Sequence, residues 1–364
     1  MHYAELVFFD PRTNIHSTRS MMMTDPPSPS STRLVLRDVL AVVASVHGLR
    51  GDAWKSAAYT KGAEAVASVI RMPDLDKPED AAGVGASIGK TIRKVRASIE
   101  KNTAQRKDAV DLAVSVGSVG PEEAAHLRAY RAFLGILGVG DKKANELARA
   151  GYRSVDDVRR DRQSLDLDRP VHAIGLRYYQ DLRSRIPYAR AKDVASRVKT
   201  AIQECRIVGM DTTATASLGS LRRRRPDVGD IDLLVLASDD EGFRALARRM
   251  PRALKGDFLV ALSGGDRRYS FVMLDRGRAY QVDVFRAKDR TEWASYLLYG
   301  TGSAGFNERV RAEARKRGFL LNEYGLYTKH DPADKTKKKK IPLAHEADIF
   351  AHLGMPYVPP RERR

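Results

Sequence analysis

The chain of 364 residues contains a single cysteine, Cys205. An internal disulfide is therefore impossible, and a cysteine-cluster zinc site is excluded with it. Free cysteines are among the most buried residue types, so Cys205 is expected as a core thiol rather than a nucleophile. Long apolar runs are missing too. No stretch of about 18 apolar residues is present to span a bilayer, and no signal-peptide core is visible. Acidic residues are in short supply, 46 against 64 lysines and arginines, which leaves a net charge of +18 and a pI near 9.9. That excess costs self-repulsion in the compact state and implies an anionic partner. Nucleic acid is the first candidate, because each neutralised phosphate releases a counterion; a membrane surface is the competitor. His126, His172, His330, His345 and His352 lack metal-ligand spacing and receive no role.

What is present suffices for two to four compact units, and 43% hydrophobic residues supply their cores. Residues 1–32 read as a disordered tail. Its Asp25-Pro26-Pro27-Ser28-Pro29-Ser30-Ser31-Thr32 stretch should carry neither helix nor central strand, and Met21-Met22-Met23 leaves the start site open. From 33 to 118 the chain reads as helical: Leu34, Leu36, Val39, Leu40, Val43 and Val46 recur at helical spacing, as do Ala58, Ala63, Ala65, Val66, Val69 and Ile70. A second helical block fills 119–188. Beyond a helix near Lys192–Glu204 come β-type runs at Ile231–Leu236, Phe258–Leu262, Tyr269–Leu274 and Tyr280–Phe285, and helix returns after Glu292. The tail from Lys335 is basic and punctuated by proline.

Two short stretches share a theme: Gly83-Val84-Gly85 and Gly138-Val139-Gly140 each separate helical segments. Glycine lets the backbone turn tightly and brings its N–H groups close to a ligand. A helix starting immediately afterwards aims those amides at an anion. The pattern resembles the helix-hairpin-helix element that grips DNA phosphates; a plain pair of helix–helix turns is the alternative.

The strongest chemistry lies in Leu218-Gly219-Ser220-Leu221-Arg222-Arg223 followed by Gly229-Asp230-Ile231-Asp232-Leu233-Leu234-Val235. Alternate residues of a strand share a face, so Asp230 and Asp232 project together while Ile231 faces away. Two such charges repel and raise a pKa unless a cation lies between them. Hard oxygen ligands of this kind suit magnesium. Gly219-Ser220 can set backbone N–H and a hydroxyl against a phosphate, and Arg223 can add a charge-assisted donor. A third acid, Asp283, lies in Tyr280-Gln281-Val282-Asp283-Val284-Phe285, where it is costly unless it faces ligands; an adjacent antiparallel strand would bring it beside the pair.

With these residues in view the chain resembles the nucleotidyltransferase fold and, more narrowly, family X DNA polymerases such as DNA polymerase beta. Support comes from Arg185-Ile186-Pro187, Tyr299-Gly300-Thr301-Gly302-Ser303, Phe306-Asn307-Glu308-Arg309, Gly318-Phe319-Leu320-Leu321-Asn322-Glu323-Tyr324 and the closing Leu353-Gly354-Met355-Pro356-Tyr357. The resemblance implies an α+β fold. After the tail would come a helical lyase-like domain (33–118), a helix-hairpin-helix subdomain (119–188), a catalytic palm with a mixed sheet (189–290) and a C-terminal α/β nucleotide-selection subdomain (291–364). It implies gap-filling, template-directed synthesis in DNA repair, base excision repair included. Asp230, Asp232 and Asp283 would hold two Mg²⁺ ions, with Mn²⁺ as a substitute. Gly219, Ser220, Arg223 and Gly229 would meet the phosphates of a dNTP; Tyr299 and Gly302 would line its sugar pocket, and Asn307 would meet its base. Arg311 would contact the template, and Glu323 and Tyr324 would support the closed thumb. Lys55, Tyr59, Gly83, Gly85, Gly138 and Gly140 would bind gapped or nicked DNA. The implied protein is a monomer, intracellular in a DNA-containing compartment (nuclear or virus-associated) and neither secreted nor membrane-bound.

Departures from the family pattern accompany the match. Thr91 stands where the resemblance implies an imine-forming lysine, with Lys90 about 100° away around the helix, so lyase activity is expected to be weak or absent. Ser87 stands at another position where the resemblance implies a basic residue. Ala173 replaces a triphosphate-binding arginine, Ala304 an aspartate against the incoming base, Gln281 an arginine beside the third aspartate, and Gly300 a bulky aromatic. No BRCT-like segment or exonuclease motif is visible, so proofreading is not expected. Trp54 is either a stacking platform for a base or a core residue. The run Lys335-Thr336-Lys337-Lys338-Lys339-Lys340 is a DNA contact, a solvated loop or a nuclear address. The rival functions are a template-independent, terminal-transferase-like nucleotidyltransferase and a non-catalytic DNA-end-binding module.

Overall fold

The computed structural model describes residues 29–68, 77–80, 84–101, 108–328 and 338–363. The N-terminal 28 residues, Gly83, His330 and Lys335–Lys337 lie outside the described residues. The chain divides into two compact units, Met1–Leu167 and Asp168–Arg364.

The first unit is helical: α1 (Pro29–Leu49), α2 (Ala53–Ser68), α3 (Ala86–Lys101), α4 (Ala109–Ser115), α5 (Pro121–Leu134), α6 (Asp141–Arg149) and α7 (Val155–Arg160). Helix α1 begins at Pro29, inside the stretch expected to resist helix. Proline costs little in a first turn, where its missing N–H would have had no partner. The expected apolar stripe is buried from Leu36 onward: Leu36, Val39, Leu40 and Val43 join Val66, Ile88, Ile92 and Leu127 in one cluster, whereas Leu34, two residues earlier and so about 200° around the helix, is 52% exposed. Before α6, Gly138 takes φ 84°, a conformation glycine adopts without strain. Gly140 caps α6, and the Tyr130 hydroxyl donates to Asp141 Oδ1 at 2.6 Å.

The second unit opens with α8 (Pro170–Arg177), α9 (Tyr179–Arg183), β1 (Ile186–Pro187) and α10 (Tyr188–Glu204). There follow β2 (Met210–Ser217), α11 (Gly219–Arg222), β3 (Asp227–Val228), β4 (Ile231–Ala237), α12 (Asp240–Ala253), β5 (Phe258–Gly264), β6 (Arg268–Asp275) and β7 (Arg278–Ala287). The unit closes with α13 (Arg290–Thr301), α14 (Ala304–Lys316), β8 (Phe319–Asn322), β9 (Gly325–Thr328) and α15 (Glu346–His352). A five-stranded mixed sheet runs β2-β4-β7-β6-β5. Strict alternation gives it two unlike faces. Ile231, Leu233, Val235, Val282, Val284, Phe271 and Met273 pack into the core that α10 and α12 cover. The same cluster takes Cys205, a buried thiol 4.0 Å from Met250 Sδ whose pKa burial pushes up.

One pairing differs from expectation. Strand β7 runs parallel to β4, not antiparallel. Helix α12 carries the chain back after β4, so β5 starts in the direction of β4; two antiparallel turns, β5 to β6 and β6 to β7, restore that direction in β7. The second turn is a two-residue loop, Arg276-Gly277, with φ 50° and 78°, closed by the pair Asp275 and Arg278. Positive φ at both central residues matches the twist of a tight hairpin.

Candidate active site

The face of the sheet away from α10 and α12 carries the acids. Asp232 stands directly opposite Asp283 across the β4–β7 ladder, and Asp230 precedes Asp232 by two residues on the same face. A one-residue slip would send each acid into the core. Asp283 is 5% exposed, while Asp230 keeps an open residue surface and Asp232 an intermediate one. The Asp230 carboxyl is pushed above its ordinary pKa by desolvation first, then by the charge of Asp283, with Arg185 and Arg268 opposing. Asp232 is pushed up further, by burial, then by Asp230 and Asp283. The expected mutual repulsion is therefore present, with burial the larger cause.

The donor set fits a hard divalent cation. All three acids are carboxylates, and Asp283 Oδ1 is buried without a hydrogen-bond partner. Such an oxygen is expensive to leave unsatisfied. Among the described residues no three His, Cys, Asp or Glu side chains are already drawn into a closed cage. The acids are spread over two strands, and a guanidinium neutralises one of them: Arg268 Nη2 reaches Asp283 Oδ2 at 2.9 Å.

The chain leaves β2 and enters α11 beside these acids. Leu218 N–H donates to Asp232 O at 2.9 Å. Gly219 has φ 54°, and a Cβ there would come 3.0 Å from Asp232 Oδ2, so conformation and space both favour glycine. Ser220 follows on the same turn. Arg223 donates to the Thr301 carbonyl next to Gly302, and its Nε is buried without a partner. On the other side, Arg185 grips Asp227 through Nε at 2.9 Å and Nη2 at 2.7 Å. Its Nη1 lies 3.1 Å from where a Gly229 Cβ would sit. In the sequence Arg185 stands out only as part of a motif; its convergence on Gly229 and Asp230 needs the β1–β3 pairing of Ile186 with Val228. A guanidinium thus stands at this loop although Ala173 carries none.

Tyr299, Asn307 and Arg311 line one small pocket with Ser295, Leu298, Val310, Leu321 and Asn322. Asn307 Nδ2 donates to Tyr299 O at 2.7 Å, and its Oδ1 is buried and unpartnered. Gly300 is not an open gap: a Cβ there would meet Leu218 Cδ1 at 2.8 Å. Glu323 and Tyr324 form the β8–β9 turn, where Arg267 lies 5.1 Å from the centre of the Tyr324 ring. Helix α11 is tied to the C-terminal segment by Arg222, whose Nη2 reaches Glu346 Oε2 at 2.8 Å; Arg363 Nη1 meets Glu346 Oε1 at 2.5 Å. Burial pushes the Glu346 carboxyl up, but the two arginines outweigh it and hold it below its ordinary pKa.

In the first unit Tyr59, Ser87 and Thr91 meet. The Tyr59 hydroxyl is 3.1 Å from Ser87 Oγ and 3.5 Å from Thr91 Oγ1. The His47 ring stacks on Tyr59 at 5.5 Å. Thr91 is buried and Lys90 exposed, so the two residues face apart as their register demands. Lys55 pairs with Asp52 at 3.0 Å at the surface. Trp54 is 78% exposed, which removes the core reading.

Comparison with known proteins bears on both units. Residues 296–364 match the DNA polymerase beta thumb, and residues 131–183 match the fingers domain of DNA polymerase lambda. DNA polymerase lambda of Rattus norvegicus is 27% identical over 355 residues, covering 93% of this chain and 58% of the relative. DNA polymerase lambda of Arabidopsis thaliana is 23% identical over 259 residues, covering 65% of this chain and 46% of the relative. The chain thus spans about half the length of these relatives. No described helix is long and apolar enough to cross a membrane. Fingers and thumb matches flank, in sequence, a sheet that sets one aspartate opposite another, and in these respects the chain is similar to the family X DNA polymerases.

Proposed function

We propose that the protein is a template-directed DNA polymerase that fills short gaps during repair, adding a nucleotide from a dNTP to a primer 3′ hydroxyl. The observation that carries this reading is the pairing of Asp232 with Asp283 in one register, Asp230 beside them and the Gly219-Ser220 turn against Asp232. Asp230, Asp232 and Asp283 would hold two Mg²⁺ ions, which when bound lower the pKa of the primer hydroxyl and neutralise charge on the triphosphate and departing pyrophosphate. Asp283 Oδ1, unpartnered and buried, faces that task with no competing hydrogen bond. Ser220, Arg223 and the backbone at Gly229 would bind the phosphates, and Arg185 would add the donor that Ala173 cannot. Tyr299 and Gly302 would flank the sugar, Asn307 the base edge and Arg311 the template. Glu323 and Tyr324 would steady the C-terminal segment when it closes.

DNA affinity would come from a net charge of +18 and the two glycine motifs, Gly83-Val84-Gly85 and Gly138-Val139-Gly140. Lys55 and Tyr59 would hold a 5′ phosphate without lyase chemistry, since Thr91 offers no amine. The protein would act as a monomer in a DNA-containing compartment. The test is incorporation of one nucleotide into a gapped duplex with Mg²⁺, beside extension of a single strand without template. Gap filling dictated by the template base supports the proposal; untemplated extension alone replaces it with a terminal-transferase-like activity, and binding without incorporation with an end-binding module.

A further inference from the structure

Arg268 is a residue at the acid-bearing face that no motif identified. It lies on β6, opposite Phe285 of β7, and two residues before Ser270, which stands opposite Asp283. Directly opposed residues share a face, so Arg268, Ser270 and Asp283 project together. Three interactions fix the side chain. Its Nε donates to Ser270 Oγ at 2.8 Å, its Nη2 donates to Asp283 Oδ2 at 2.9 Å, and its guanidinium lies 5.6 Å from the centre of the Phe285 ring. The nearest polar group on Asp283's own strand is Gln281, whose Nε2 is 3.5 Å from the same oxygen. That is a poor hydrogen bond.

The plain alternative is a surface ion pair, and such pairs contribute little. The two ends differ, however: the Arg268 side chain is 47% exposed, but that of Asp283 is only 7% exposed. Removing the arginine would leave a buried carboxylate with neither oxygen well bonded, a far larger loss than that of an exposed pair. Because one oxygen is engaged by Arg268, the carboxylate cannot rotate freely, and the other oxygen is left without a hydrogen-bond donor.

We propose that Arg268 is a positioning residue for Asp283: it clamps Oδ2 from the neighbouring strand so that Oδ1 is presented to the site formed with Asp230 and Asp232. The proposal rests on the polymerase reading for its kinetic consequence but not for its structural one. Outer groups that orient a metal ligand typically change activity or metal affinity by about 10- to 100-fold when removed. Arg268→Ala should therefore slow saturated single-nucleotide incorporation by about that factor, with little change in gapped-DNA affinity. Arg268→Lys should recover part of the rate, because it restores one donor but not the planar fork.

The second readout needs neither metal nor DNA. In chelator, Arg268→Ala should lower the Tm of the parent but not that of Asp283→Asn, because the buried charge is already gone in the latter. Equal Tm losses in both backgrounds would overturn the proposal. So would an unchanged saturated rate combined with weaker DNA binding and a salt slope reduced by about one, which would make Arg268 a phosphate contact. A parent that incorporates no nucleotide would refute the polymerase reading, while the chelator comparison would still decide the clamp.

Discussion

The cluster around Tyr59 and the acid-bearing face of the sheet both lack residues that the family resemblance implies, with opposite results. There the missing lysine leaves Thr91, buried, its hydroxyl donating to the Ser87 carbonyl at 3.2 Å and lying 3.5 Å from the Tyr59 hydroxyl. Lys90 points elsewhere, and Lys94 is turned to the Val116 carbonyl at 3.3 Å. Around the sheet three of the four absences, all but that at Ala304, have an answer nearby. Arg268 stands by Asp283 where Gln281 falls short, Arg185 approaches Gly229 where Ala173 offers nothing, and Leu218 fills the space over Gly300. The difference is chemical. Charge and volume can be supplied from any element that reaches the place, whereas an imine needs an uncharged amine aimed at a single carbon.

The largest expected effect tests whether the sheet has kept its chemistry. Asp283→Ala should reduce single-nucleotide incorporation by about a thousandfold or more, equivalent to about 4 kcal/mol of barrier, and leave gapped-DNA affinity nearly unchanged. Activity above about a thousandth of the parent rate would remove Asp283 from the metal site.

Next in size is the frame that holds α11. Glu346 is 6% exposed and shared by Arg222 and Arg363. Glu346→Ala leaves two cations facing each other in a buried place and should cost about 3–5 kcal/mol of stability, read by denaturant unfolding. The sign with pH follows from the lowered carboxyl pKa. The contribution is complete above the unfolded pKa of about 4.3 and is lost as pH falls through the folded value. A parent no more sensitive to acid than Glu346→Gln would contradict that linkage.

The comparison can also be broken from the other side. If only the amine is missing from the Tyr59 cluster, borohydride trapping on a 5′ deoxyribose-phosphate substrate should be weak in the parent and rise in Thr91→Lys. Strong parental trapping that vanishes in Lys90→Ala would mean that an outward lysine had taken the role and that the two regions do not differ. The smallest effect concerns the basic loop. Lys338 and Lys339 are exposed, and Lys340 lies 3.4 Å from Asp289. Neutralising Lys337–Lys340 should flatten the salt dependence of DNA binding by about 0.9 for each phosphate that the loop neutralises in the parent, and an unchanged slope would mark a solvated loop.

Much of this was legible in the sequence because period two is a strong signal. Asp230, Ile231 and Asp232 alternate between faces as their spacing requires, and the β-type runs became β4 to β7 with small changes at their ends. The direction of β7 was not legible, since it depends on how many times the chain reverses between the acids rather than on residues near either one. Arg268 escaped for a related reason. It touches Asp283 across a ladder, 15 positions away in sequence, and nothing in Asp266-Arg267-Arg268 distinguishes it from any other basic turn. At Gly300 the sequence shows the missing aromatic but not the Leu218 side chain that lies against the glycine. The start of α1 was hidden because proline counts as a breaker everywhere except in the first turn, and the sequence does not say where that turn falls.

The two-residue loop Arg276-Gly277 acts as a ruler for length variation. It sets which β6 residue faces which β7 residue, and so places Arg268 two steps from the partner of Asp283. One residue inserted in that loop would slide β6 along β7 and turn Arg268 to the opposite side, while Asp232 and Asp283, paired on a different ladder, would stay together. Residues added where α12 meets β5 would disturb neither ladder. Insertions and deletions between the two acid-bearing strands are therefore unequal. At the α12 end they add loop, and at the hairpin they separate Asp283 from Arg268.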